Sequence, residues 1–107
     1  MALNIQIDQQ KLADFCAKWG IASMAIYDTH IRENEGGIIG EVTDVMYTLL
    51  EGVRSPSYLG GFFDMEDEIS AIMGRTVALT SRDTVERNSS HRDFREYVES
   101  MKIIYAR

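Results

Sequence analysis

The stretch IYDTHIREN, residues 26–34, ends an apolar run on a carboxylate, a hydroxyl and an imidazole: Asp28, Thr29 and His30, with the guanidinium of Arg32 two positions further on. A sharp turn placed after a buried strand holds phosphate well, because the strand aims it and backbone N–H groups converge on the anion. His30, Ile31 and Arg32 read as the opening turn of a helix behind such an elbow. Glycine suits the tight position, since it permits positive φ and close approach of a ligand. This chain has Asp28 there, which adds a Cβ and a negative charge. At roughly 4 Å and an effective dielectric of about 20, each carboxylate–phosphate contact costs on the order of 4 kcal/mol before screening. The elbow therefore reads as a phosphate-site shape opposed by its own carboxylate.

A second carboxylate, Asp44, lies in EVTDVMYTLLE, residues 41–51. Alternation along a strand puts Val42, Asp44, Met46 and Thr48 on one face and Thr43, Val45, Tyr47 and Leu49 on the other. Asp44 is the unusual member of its face, the one carboxylate among apolar side chains and a hydroxyl. No carboxylate at a clear sequence spacing orients His30, which reads as a surface histidine. Arg87 and His91 are four apart, but they straddle NSS, a capping segment, and do not form a catalytic pair. Cys16 is the only cysteine, so no internal disulfide exists; it sits on an apolar helical face as a small core residue.

Around these residues the periodicity predicts a helix capped by Asp8, with Leu12, Phe15, Cys16 and Trp19 at i, i+3, i+4 and i+7, closed by Gly20. The apolar run ASMAIY predicts a strand feeding the elbow. ENEGGIIG, Glu33 to Gly40, reads as a flexible loop, and residues 41–51 form a second strand. After the turn signal EGVRSPS, a helix carries Leu59, Phe62, Phe63, Glu66, Ile69, Ile72 and Met73 mostly on one stripe and closes at Gly74. Tyr58, Phe62 and Phe63 are candidates to face a partner, although the helical spacing favours a core role for the two phenylalanines. RTVALTS reads as a third strand, Ser90 caps a helix through Phe94, Tyr97, Val98 and Met101, and KIIYA is a final strand. This order predicts an α/β (α+β) fold with a small mixed β-sheet flanked by helices.

Three blocks, QQKLADFCAKWGI, GGFFDMEDEISAIMGRTVALTS and FREYVESMKIIYAR, resemble the minimal nucleotidyltransferases of the DNA polymerase beta superfamily. The resemblance runs from about Asp8 to Tyr105. It implies the nucleotidyltransferase fold and a site built from a Gly-Ser elbow, two aspartates two apart on the second strand, and a third carboxylate on the next. On that pattern Tyr27-Asp28-Thr29 replaces Phe-Gly-Ser. The metal pair becomes Val42 with Asp44 or Asp44 with Met46, and Ala78 stands at the third position. The resemblance leaves Asp28, Thr29, Asp44 and Ala78 as vestigial catalytic positions, Thr29 and Arg32 as nucleotide contacts, and Asp44 as the one metal ligand.

The 107 residues fit one domain, 1–107, since two cores would each be too small. No run approaches the roughly 18 apolar residues of a membrane span, and Met1 to Gln6 lacks the regions of a signal peptide, so a cytoplasmic protein is expected. The net charge of −6 argues against direct nucleic-acid binding. Minimal nucleotidyltransferases are often antitoxins of an all-helical HEPN-family ribonuclease. The resemblance therefore implies a degenerate, catalytically inactive member that acts by protein–protein interaction on such a partner, needs no cofactor, and has the option of a homodimer. The alternative is a divergent enzyme in which Asp28 and Asp44 converge as a rearranged metal site and AMP passes from Mg-ATP to a protein or small-molecule acceptor.

Overall fold

A computed structural model of the chain describes residues 7–33, 36–37, 39–57 and 60–107. The predicted caps delimit the first helix: the Asp8 carboxylate accepts from the Gln10 and Lys11 backbone N–H groups, and α1 runs Gln9–Trp19 to Gly20 in the left-handed conformation. Gly20 also admits a neighbour that no side chain would allow. A Cβ there would stand 2.8 Å from Val53 Cγ1.

β1 covers Ile21–Glu33 and β2 covers Ile39–Leu49, and the two pair antiparallel along nearly their whole length. α2 follows at Phe62–Met73, then β3 at Val77–Ser81, α3 at Arg82–Asn88, α4 at His91–Ser100 and β4 at Lys102–Ala106. The sheet order is β3-β2-β1-β4; β2 and β3 are parallel, joined across α2, and the other pairs are antiparallel. This is the mixed sheet flanked by helices that the periodicity predicts.

Period-two alternation sends the strands' apolar residues to both faces. Met24 and Ile26 of β1, Val45 and Tyr47 of β2, and Val77 and Leu79 of β3 meet Leu12, Phe15 and Cys16 of α1 and Met65, Ile69 and Met73 of α2. On the other face Ala25 and Met46 meet Val85 of α3, with Tyr27, Phe94, Tyr97 and Met101 packed around them. The first face carries the main core. The second is a thin layer, and α4 buries no residue completely.

The elbow expected at Asp28-Thr29 does not form, and neither does a helix at His30 to Arg32. β1 continues straight through them to Glu33. Pairing with β2 from Asp44 back to Ile39 keeps this segment extended, and no glycine stands at the turn position to oppose it; among the described residues only glycines have positive φ. The reversal occurs instead in the glycine-bearing segment beyond Glu33, where Gly37 has φ 73°. Of the expected loop Glu33 to Gly40, Glu33 ends β1, and Ile39 and Gly40 open β2. Residues 34, 35 and 38, and the expected roles of Tyr58 and Leu59, lie outside the described residues. A short helix that the sequence reading did not anticipate, α3, precedes α4; Ser81 caps it by accepting from Thr84 N–H, as Ser90 caps α4 by accepting from Asp93 N–H.

Candidate functional site

Strand register decides which polar side chains meet. A bulge at Tyr27 breaks the β1–β2 register: Ile26 pairs with Val45, but Asp28 pairs with Asp44. The extra residue re-phases β1, so Asp28 falls on the face of Asp44 and Met46 rather than on the main core face. On the other side of β2, Asp44 pairs with Ala78 of β3. Asp28, Asp44 and Ala78 thus form one row across three strands.

Within that row the carboxylates are already committed. His30, diagonal to Asp44 across the hairpin, brings Nδ1 to 2.7 Å from Asp44 Oδ2. The Asp44 side chain is 14% exposed and the His30 side chain 43%. Asp28 Oδ1 accepts from the Thr29 backbone N–H at 2.8 Å. Directly opposed carboxylates repel by up to roughly 1 kcal/mol, and the imidazole beside Asp44 offsets that repulsion when protonated. The surface histidine of the sequence reading is therefore an oriented one, and its partner is fourteen positions away in the chain. The signal was present: the Gly36-Gly37 pair lies midway between Asp28 and Asp44, so a hairpin centred there sets the two opposite one another.

Tyr27, which the sequence marked only as the first residue of the elbow, and Thr80, which it did not mark, complete the surroundings. Burial raises the Tyr27 phenol above its ordinary value of 10.0, and the Asp44 carboxylate adds to the rise; a hydrogen bond with the Thr80 side chain works the other way, while Tyr97 and Asp28 contribute in the raising direction. The Tyr27 ring meets Tyr97 edge-on, with centroids 5.1 Å apart. Thr80 reaches this place because β3 pairs it with Met46, two residues beyond Asp44.

The remaining expected positions separate. Thr29 pairs with Thr43 and shares its face, opposite to Asp28; there Thr43 is buried and its Oγ1 accepts from Arg75 Nη1 at 3.2 Å. A hydroxyl on one face and a carboxylate on the other cannot close on one phosphate. Arg32, opposite Gly40 near the hairpin tip, is exposed. The two alternatives for a second metal ligand are both buried apolar residues, Val42 opposite His30 and Met46 in the layer beneath α3 and α4. Among the described residues no group of three or more His, Cys, Asp or Glu side chains is placed to hold a metal ion. Arg87 and His91 sit on different helices, and Arg87 donates to Thr84 Oγ1 at 3.3 Å.

Chemically, the row offers a histidine whose Nδ1 is fixed on a carboxylate. Such an imidazole can shuttle a proton through Nε2, but among the described residues no hydroxyl or thiol hydrogen-bonds to it. Cys16 is remote and buried, with its thiol pushed up to about 12 by burial. No protein family, curated protein or solved structure matches this chain.

Proposed function

We propose that this chain is a catalytically inactive, nucleotidyltransferase-like protein of the cytoplasm that acts by protein–protein interaction, as the antitoxin-like partner of a HEPN-type ribonuclease. The observation that carries the proposal is the row Asp28, Asp44, Ala78. It occupies the three strand positions where the resemblance expects phosphate contact, a metal ligand and the carboxylate that positions the acceptor, yet it holds two carboxylates with partners and one methyl group. The continued pairing of β1 with β2 through Asp28 and Thr29 supports the same reading, because a paired strand does not gather N–H groups on an anion as an elbow does. The acidic balance of the chain suits a partner whose RNA-binding surface is basic.

Calorimetric titration with Mg-ATP tests the inactive centre. Neither the natural protein nor an Asp28→Gly variant gives binding heat, since removing one side chain from a paired strand does not create an elbow. Micromolar binding by the natural protein would overturn the proposal. Co-expression with the product of the adjacent gene, followed by sizing chromatography, tests the partner; co-elution is expected.

One observation favours the enzymatic alternative: Asp28 and Asp44 are direct cross-strand partners. A cation bound between them would have to displace His30 from Asp44. Under that reading Asp44→Ala abolishes a transfer activity from Mg-ATP, whereas under the first it leaves partner binding intact and has no activity to remove.

A further inference from the structure

Apart from the row, at the carboxyl ends of the parallel strands β2 and β3, lies a cleft of about 390 Å³. Its volume is within the range of small-molecule sites, and crevices beyond the carboxyl ends of parallel strands are where α/β folds place ligands. Tyr47, Thr80 and Ser81 enter from the strands, Ser55 and Ser57 from the connection after β2, and Phe62, Phe63 and Glu66 from α2.

The polar groups of the cleft are seated but not exhausted. Tyr47 Oη and Ser55 Oγ are 3.0 Å apart, and Ser81 Oγ and Thr84 Oγ1 are 2.8 Å apart. A hydroxyl has one donor and two acceptor sites, so each pair keeps capacity for a ligand. Glu66 Oε2 accepts from the Leu79 backbone N–H at 3.0 Å; this fixes the carboxylate and leaves Oε1 uncommitted among the described residues. Gly60 leaves room for the Ser57 side chain, since a Cβ there would stand 2.7 Å from Ser57 Oγ, and the Gly60 N–H donates to the Ser57 carbonyl at 2.9 Å. Beside these groups Phe63 is 56% exposed and meets Phe62 edge-on, with ring centroids 6.1 Å apart.

We infer that this cleft binds a neutral, hydroxyl-bearing ring of the carbohydrate class. Paired hydroxyls match a ring that both donates and accepts around its edge, the carboxylate of Glu66 takes ring O–H donors, and Phe63 covers the apolar C–H face. A phosphate ester does not fit: among the described residues no Lys, Arg or His lines the cleft, and Glu66 repels an anion. The inference is independent of the reading of Asp28 and Asp44.

The test is a two-dimensional amide NMR titration of the full chain with glucose, N-acetylglucosamine and ribose, and with inorganic phosphate and ATP as anionic probes. At least one neutral sugar shifts the amides of Ser55, Ser57, Phe63 and Thr84 with millimolar affinity. Phe63→Ala weakens that binding roughly three- to tenfold, and Glu66→Gln, which keeps an acceptor for Leu79, weakens it as well. Phe63 is exposed, so the variant retains the fold, as the rest of its spectrum verifies. No shift from any of the sugars, shifts that both variants leave unchanged, or the same amides moving with phosphate or ATP would each overturn the inference.

Discussion

At the scale of single residues, protonation is set by burial more than by charge. Tyr27 has its phenol raised, so the folded state favours the neutral form. Its contribution to stability is complete below pH 10 and is lost as pH rises through the elevated folded value. A Tyr27→Phe variant therefore loses less melting temperature than the natural protein across that alkaline window; equal losses would exclude the linkage. Cys16, raised from 9.0 to about 12, behaves in the same direction. In the native protein at pH 8 its thiol resists iodoacetamide, and one equivalent reacts after unfolding in urea. His30→Ala removes a pair whose histidine is 43% exposed, so urea denaturation should show a change of no more than about 1 kcal/mol. A larger loss would mean that the pair holds the hairpin together. Residue types alone made Asp28, His30 and Asp44 visible as candidates. Their union depended on the register of the β1–β2 hairpin, and the bulge at Tyr27 then re-phased that register against the core.

At the scale of elements, the sheet's outer strands show how its edges are managed. β3 would expose alternate N–H groups, and α2 covers them: Ser70 Oγ accepts from Val77 N–H at 3.1 Å and Glu66 from Leu79 N–H. Positions 66 and 70 are one helical turn apart, while 79 and 77 are one strand repeat apart, so two different periodicities meet along this edge. Ser70→Ala and Glu66→Ala should each cost about 1 kcal/mol in urea denaturation and increase association of chains. Glu66→Gln stays within about 0.5 kcal/mol of the natural protein. At the other edge β4 has only five residues, with a register shift between its pairs to Met24 and Ala25, and both features discourage further pairing. Gly20→Ala forces a Cβ against Val53 in a left-handed conformation, and a loss of more than about 1 kcal/mol is expected. The capped helices and KIIYA were legible because side-chain caps and glycine stops act within a few residues. α3 was not, since Val85 is its only buried residue and leaves no apolar stripe to read.

At the scale of the whole molecule, the main core binds α1 and α2 to one face, while the hairpin of β1 and β2 reaches beyond the rest of the sheet. β4 pairs with β1 only as far as Ile26, and β3 joins β2 only from Thr43 onward. Hydrogen exchange should therefore be faster at residues 28–33 and 39–42 than at 23–26 and 44–48; uniform protection would show that the projecting hairpin belongs to the same cooperative unit. No helix among the described residues is long and apolar enough to cross a membrane. What the sequence determined by itself was the class of fold and most of the element ends, because hydrophobic period and capping chemistry are local properties. What only the tertiary structure decided was the path through Asp28 and the union of Asp28, His30, Asp44 and Ala78 in one place. The choice between elbow and strand rests on pairing with residues 39–44, and a one-residue bulge reverses which face every following side chain takes. Such non-local pairing energy outweighs the local preference of a segment to turn, and no window of the chain around Asp28 contains it.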